Sequence, residues 1–258
     1  MIEQRTAEWY AARCGKPTGS QMWRIMASTE RWCVVEAGGN GEVISSHLTE
    51  EAAERAAATK KNVALGAAVV QTFTPTAERI AYMVELAAER LTGSTADHYT
   101  TADMQRGIDL EPAAIRAYEA ATGMITTPGY WIECGTWGCT PDAFVESDGL
   151  LSIKCPRSTT IVRQRWFDDE MPAEYYWQAM AEMVATGRKW CDLARYDDRF
   201  LRYEDRLWIE RIPYNCKDGA RLVAEINAFN AGIDRIAPRK VRDFIGREFG
   251  LPELEGIA

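Results

Sequence analysis

Asp142, Ser152 and Lys154 stand close together along the chain, and the stretch that carries them reads as a β-hairpin. Asp142 follows Thr140-Pro141 near the first arm. Glu146-Ser-Asp-Gly149 has turn composition, and Asp148-Gly149 is expected to make the tight turn because glycine tolerates positive φ. Leu150-Leu-Ser-Ile-Lys-Cys-Pro156 then forms the second arm. Strand side chains alternate between faces, so Ser152 and Lys154 share one face while Ile153 points the other way, into a core. A carboxylate beside a lysine suits hydrolysis. Carboxylate oxygens ligate hard dications such as Mg²⁺. A lysine ammonium can orient an attacking water or stabilise a developing negative charge.

The elements that must hold this hairpin can be read from caps and periodicity. Thr6 is placed to cap a helix at Ala7-Glu8-Trp9-Tyr10; Gly15-Lys-Pro-Thr18 breaks it, and Thr18 or Ser20 caps a second helix through Ser28. Residues 31–48 read as irregular, with a turn at Gly38-Gly-Asn-Gly41, and residues 49–70 as helix behind Thr49. Ile80, Met83, Leu86 and Leu91 mark an amphipathic helix over 75–92, and another is predicted near 102–122. Strands follow from Met124 to Cys155, a helix over about 171–187, strands near Trp190–Arg195 and Leu207–Pro213, and a helix from Asp218 to Ile236. Residues 237–258 add a basic Arg-Lys-Val-Arg segment and an acidic tail. This order predicts an α/β (α+β) layout around a central sheet.

The chain has 258 residues, of which 47% are hydrophobic and 26% charged, enough for one substantial core. No apolar run is long enough to span a membrane, and the polar N-terminus does not read as a secretory signal. Seven cysteines and two histidines, His47 and His98, fit a reduced cytoplasmic setting. They make zinc between Cys134 and Cys139 a poorer reading than two buried strand thiols. A net charge of −8 argues against a general nucleic-acid coat protein. A local basic groove beside clustered carboxylates remains compatible with it.

The acid, turn and Ile-Lys arm resemble the layout of the PD-(D/E)xK nucleases, with Ser152 in the (D/E) slot. Four further segments extend the likeness, in matching order, to the phage lambda exonuclease family of viral recombinase nucleases. Trp9-Tyr-Ala-Ala-Arg13-Cys-Gly15-Lys-Pro-Thr18-Gly-Ser20 is similar to its W-x-x-x-R-x-G-x-x-T-x-S. Gly107-Ile-Asp-Leu-Glu111 is similar to G-x-x-x-E, and Tyr175-Tyr-Trp-Gln178 to Y-x-x-Q-x-Q. Ala194-Arg-Tyr-Asp197 matches a late strand. The likeness runs from about Trp9 to Pro213, with an apparent insertion across 31–75 and a C-terminal extension at 237–258.

The resemblance implies a restriction-endonuclease-like core, a central mixed β-sheet flanked by helices, in a single nuclease domain over 1–258. It implies Mg²⁺-dependent 5′-to-3′ digestion of double-stranded DNA from its ends, with Mn²⁺ able to substitute. It further implies a ring-shaped homotrimer, a phage single-strand annealing protein as partner, and work in the cytoplasm of a bacterial host. Asp142, Glu111 and the Ile153 carbonyl become metal ligands, Lys154 the catalytic cation, and Arg13 the ligand of a terminal 5′-phosphate, with the hydroxyls of Ser20 and Thr140 beside it. Each has a plainer alternative. Lys154 can be a solvated strand lysine, Asp142 a turn former, Glu111-Pro112 a helix start, Arg13 a surface arginine and Gln178 a surface amide. Trp9, Trp177 and Trp190 read as core rather than as base-stacking platforms.

Ser152 stands where the family carries Glu, which removes one negative charge from a dication site. Three readings compete: a carboxylate supplied from elsewhere, a deliberately inactivated chain, and natural loss of catalysis with DNA-end binding retained. Glu174, Gln178 and Glu182 are spaced i, i+4, i+8 on one helical face and offer a source for the first. Met180 replaces the family's second glutamine. A catalytically impaired end-binding module that loads the annealing partner is the main alternative function. A nicking or restriction-type endonuclease is the weaker one.

Overall fold

The computed structural model describes residues 2–36, 43–95, 101–168 and 170–249, with backbone alone at 30, 71, 73, 74 and 237–249. Thr6 caps the first helix as expected: its hydroxyl accepts the Trp9 N–H at 3.2 Å, and α1 runs Ala7–Arg13. A 3₁₀ turn, Gly19–Gln21, and a short α2, Met22–Met26, follow. The second helix is thus shorter than predicted. It lacks a side-chain cap at Thr18, and Ser28 already belongs to a strand.

Residues Ala27–Ala81 form a compact unit of their own. β1 (Ser28–Val35) pairs antiparallel with β2 (Val43–His47) on one side and β3 (Ala68–Pro75) on the other. α3 (Glu50–Ala57) and α4 (Lys60–Ala64) lie between β2 and β3 in the chain. Thr49 caps α3 through the Ala52 N–H at 3.3 Å. Two expectations fail here. The span 31–48 is mostly paired strand, because β1 has a partner on each side, with Val34 opposite Val69 and Val35 opposite Val43. The helix read over 49–70 ends well before Ala68, with Gly66 in the left-handed region at φ 62°. The turn expected at Gly38–Gly41 lies outside the described residues, as does His98.

In the larger unit, Met1–Met26 with Tyr82–Ala258, α5 (Ala77–Thr92) contributes its portion from Tyr82 onward. Its buried side is Tyr82, Leu86, Ala87 and Glu89, whereas Ile80 and Leu91 are exposed, so the buried stripe is rotated from the predicted one. α6 (Ala102–Thr122) is capped by Thr101 and closed by left-handed Gly123. The sheet strands then follow: β4 (Thr126–Pro128), β5 (Ile132–Glu133), β6 (Gly138–Cys139), β7 (Ala143–Val145) and β8 (Gly149–Lys154). α7 (Ser158–Trp166) was not predicted; α8 (Ala173–Thr186), β9 (Trp190–Tyr196), β10 (Leu207–Pro213) and a long α9 (Cys216–Phe249) complete the chain. α9 runs past the predicted end at Ile236.

The central sheet has the order β10-β9-β8-β7-β4, with β8 and β9 parallel and the other neighbours antiparallel. It is the expected mixed sheet flanked by helices. On one face Leu151, Ile153, Ala194 and Tyr196 pack with Ala114 and Tyr118 of α6. On the other Leu150, Cys191 and Leu193 pack with Met180 and Met183 of α8 and with Met22, Leu86 and Phe229. The alternation along β8 therefore sends Ile153 to the α6 side and Ser152 with Lys154 to the α8 side, as predicted. The hairpin turn differs in detail. The left-handed residue is Glu146 at φ 46°, while Gly149 is needed because the Trp190 ring lies 2.1 Å from where its Cβ would stand.

No described helix is long and apolar enough to cross a membrane.

Candidate functional site

Asp142 immediately precedes β7, where its neighbours on both sides are fixed. The Gly129 N–H donates to its carbonyl at 3.2 Å, and a Cβ on Gly129 would fall 1.7 Å from the Pro141 carbonyl oxygen. Only glycine allows this approach. The Asp142 carboxylate reaches across the hairpin and accepts the Ile153 N–H at 2.6 Å. This one bond ties the acid to the backbone between Ser152 and Lys154. Burial pushes the Asp142 carboxyl above its usual range, against the pull of Lys154.

Lys154 does not point to bulk solvent. Its Nζ donates to Gln178 Oε1 at 2.9 Å and lies 5.7 Å from the centre of the Tyr175 ring. Gln178 then donates through Nε2 to Glu182 Oε1 at 2.8 Å. Gln178 is buried on α8, so its surface-amide reading is set aside. The amide has a fixed orientation, oxygen toward the cation and nitrogen toward the acid. Glu182 is buried, and its Oε2 has no hydrogen-bond partner among the described residues. Burial, then the Asp142 charge, raises its carboxyl to about 8. Ser152 is also buried, 3% exposed, on this side of β8.

Two cavities meet at these residues. A small one of about 160 Å³ is lined by Asp142, Gln178, Glu182, Thr140, Ser20 and Arg13, among others. A larger one of about 530 Å³ is lined by Asp142, Glu111, Ile153, Arg5, Arg13 and Ser20, among others. The predicted residues Glu111, Asp142, Ile153, Arg13, Ser20, Thr140, Gln178 and Glu182 thus gather around one locus. Glu174 does not: it is exposed in the first turn of α8 and lines neither cavity.

Glu111 lies inside α6, followed by Pro112 within the same helix, so the helix-start reading fails. Proline cannot donate back to the Ile108 carbonyl, and Ile108 lines the larger cavity beside Glu111. Arg5 ion-pairs with Glu111 at 2.9 Å from a left-handed backbone, φ 66°. Sequence reading missed Arg5, which carries no local signal beyond its place before the Thr6 cap. It also missed Arg106, one helical turn before Glu111. Arg106 donates to the carbonyls of Cys155 (2.9 Å) and Pro156 (3.3 Å) and to Asp197 (2.8 Å), bracing α6 against the end of β8.

Arg13 stacks on Trp9, 3.7 Å from the ring centre, and has no hydrogen-bond or ion-pair partner among the described residues. Burial lowers its affinity for its proton, and the charges of Tyr82, Tyr10 and Glu89 offset that only in part. The Trp9 indole N–H donates to Thr140 Oγ1 at 2.9 Å, so Trp9 is a cavity wall rather than core. The Gly15–Thr18 turn behind Arg13 is held firmly. Gly15 N–H donates to Glu89 at 2.8 Å, the Gly15 carbonyl accepts Arg90 Nε at 2.7 Å, and Thr18 N–H donates to the Tyr82 hydroxyl at 3.1 Å. Gly15 has φ 68°, which explains the glycine of that segment.

All the potential metal donors here are oxygens, the set that suits a hard dication. An orphaned carboxylate oxygen at Glu182 is what such a cation would satisfy. Among the described residues no three Asp, Glu, His or Cys side chains converge as a ready-made cluster. A cation at Asp142 would therefore keep several waters, as Mg²⁺ commonly does.

Residues 53–189 match the family model for the YqaJ-like viral recombinase domain. Among solved structures, an alkaline exonuclease (LHK-Exo) from Laribacter hongkongensis is similar at 30% identity and TM-score 0.69, over 92% of this chain and 97% of that one. LHK-Exo in complex with dAMP is similar at 29% identity and TM-score 0.67, over 95% and 98%. A phage related exonuclease from Haemophilus somnus 129PT, at 12% identity and TM-score 0.58 over 87% and 96%, shares the fold. The comparison with curated proteins gives no match.

Proposed function

Because this chain belongs to the YqaJ-like viral recombinase family, we propose that it is a DNA exonuclease, digesting linear duplex DNA from 5′ ends by metal-assisted phosphodiester hydrolysis. One observation carries the reading: Asp142, tied to the Ile153 backbone next to the Lys154 that pairs with Gln178, shares its cavities with Arg13, which has no ion-pair partner among the described residues. An acid and an ammonium serve the reacting phosphate, and a stacked guanidinium serves a neighbouring one.

Asp142, Glu111 and the Ile153 carbonyl are the residues that would hold the dication, Mg²⁺ or in its place Mn²⁺. When bound, such an ion neutralises charge on the phosphodiester and makes a water nucleophilic near neutral pH. Lys154, steadied by Gln178, orients the attacking water or stabilises charge on the phosphoryl oxygens. Arg13 grips the terminal 5′-phosphate through its planar fork, with the Ser20 and Thr140 hydroxyls as further donors. Arg5 and Arg106 are positioning residues: they hold Glu111 and the end of β8 in register. A homotrimer, a single-strand annealing partner and a bacterial cytoplasmic setting belong to the same proposal.

The test compares nucleotide release from a linear duplex, 5′-labelled or 3′-labelled, with and without EDTA, against a closed circular duplex. Metal-dependent loss of the 5′ label first, with the circle intact, is expected. Digestion of the circle would move the assignment to an endonuclease. Ser152 favours one second reading, a DNA-end-binding module without catalysis. Tight binding of linear duplex with no nucleotide release in Mg²⁺ or Mn²⁺ would establish it.

A further inference from the structure

We propose that Glu182 of α8 supplies the carboxylate that Ser152 does not, and ligates a divalent cation together with Asp142; this deepens the proposed function and rests on it. Four observations converge. Ser152 is buried on the α8 side of β8, two residues before Lys154, and brings no charge. Glu182 and Asp142 line the same small cavity. Glu182 is 1% exposed, yet its Oε2 lacks any hydrogen bond among the described residues. Burying a carboxylate with one oxygen unserved is costly, and a core position on a helix of Ala and Met has no packing need for it.

The remaining oxygen of Glu182 is not idle. Gln178 holds Oε1 from one side and the Lys154 ammonium from the other, so the carboxylate is oriented with Oε2 left over. A structural carboxylate would have both oxygens served by protein donors. One whose single vacant oxygen adjoins the Asp142 cavity is placed for a ligand that brings positive charge. Glu174, on the same helical face two turns earlier, is exposed and has no part in this arrangement.

The test measures Mn²⁺ affinity of the purified full chain by electron paramagnetic resonance, alongside duplex digestion. The variants are Glu182→Gln, Glu182→Asp, Glu174→Gln and the exchange Glu182→Gln with Ser152→Glu. Glu182→Gln is expected to weaken Mn²⁺ binding at least ~10-fold, and the exchange to recover most of that loss. Glu174→Gln leaves the affinity unchanged. Glu182→Asp, which withdraws the charge by one methylene, falls between, and decides the matter should the Gln variant fail to fold. Unchanged Mn²⁺ affinity in Glu182→Gln, or in Glu182→Asp if that variant alone folds, would overturn the inference. If that same chain still digested duplex DNA, the exonuclease reading would stand without it. Glu182-dependent Mn²⁺ binding in a chain that digests nothing would instead uphold the inference and remove the exonuclease reading.

Discussion

Asp192 and Glu182 are both 1% exposed, one on the α6 side of the central sheet and one on the α8 helix that covers the other side, and their surroundings are opposite in kind. Asp192 Oδ1 accepts Arg211 Nε at 2.7 Å; its Oδ2 accepts Arg211 Nη2 at 2.8 Å and the Tyr118 hydroxyl at 2.7 Å. Arg211 in turn stacks on Trp190. Every oxygen is served and the charge is matched. Asp197, at the end of the same strand, is similar. Burial alone would raise its carboxyl, but Arg199 and Arg106 bring it below the usual range. Glu182 has one amide donor, a raised carboxyl and an acidic neighbour in Asp142. Arg211 of β10, Arg106 of α6 and Arg199 after β9 neutralise these buried acids. Among the described residues no arginine makes an ion pair or hydrogen bond with Glu182. The satisfied pairs fix the sheet, and the unsatisfied pair is where the proposed cation would bind.

The sharpest way to break that contrast is to neutralise each side. Asp142→Asn should lower metal-dependent digestion by at least ~1000-fold, about 4 kcal/mol in barrier terms, with the fold retained. Lys154→Ala should do nearly the same. Digestion assays paired with circular dichroism check both, and full activity in either variant would remove the hairpin from the mechanism. Asp192→Ala should do the reverse. It leaves the buried Tyr118 hydroxyl without its acceptor and releases Arg211, whose side chain is 47% exposed, to water, and should cost about 2 kcal/mol of stability by urea denaturation, with turnover of the folded fraction preserved. A variant that lost turnover but kept stability would mean that the two sides are not separate.

The hairpin was legible because its signal has period two: Ile153 to one core, Ser152 and Lys154 to the other, with Asp142 alongside. The Thr6 and Thr49 caps were legible because capping is a contact between near neighbours. What failed depended on partners far away in the chain. β1 and β3 are strands because they pair with each other, and an Ala-rich approach to β3 disguised it as helix. α7, with Thr159, Thr160, Ile161 and Val162 in its first half, has weak helical propensity and no side-chain cap. The choice between Glu174 and Glu182 was open in the same way. Their spacing puts them on one helical face, but only the packing of α8 buries its second half and leaves its first turn in solvent.

Arg13 offers a finer probe of the contrast: it is a cation, and Glu182 an acid, with no ion-pair contact among the described residues. Arg13→Ala should slow digestion of 5′-phosphorylated ends by roughly 10–100-fold, the equivalent of about 1.5–3 kcal/mol for a charge-assisted bond. Ends carrying a 5′-hydroxyl should lose far less. Parallel rate measurements on the two substrates give the ratio, and equal slowing of both would refute phosphate binding.

The smallest effect is expected at Tyr118. Its hydroxyl donates to Asp192 Oδ2 from within a fully buried side chain, and burial followed by that bond holds the phenol well above its usual range, so it remains a donor. Tyr118→Phe keeps the ring that packs against Leu151 and Ala194 and removes the one oxygen. Asp192 retains both bonds from Arg211, so no buried charge is stranded. The loss should be about 1 kcal/mol, or roughly 2–4 °C in a thermal scan of a chain this size. Digestion should not change, because nothing on the α8 side of β8 contacts the phenol. A much larger loss would mean that Arg211 alone cannot satisfy Asp192. The β9 acids would then depend on a balance as fine as the one at Glu182, and the distinction between the two sides of the sheet would lose its basis.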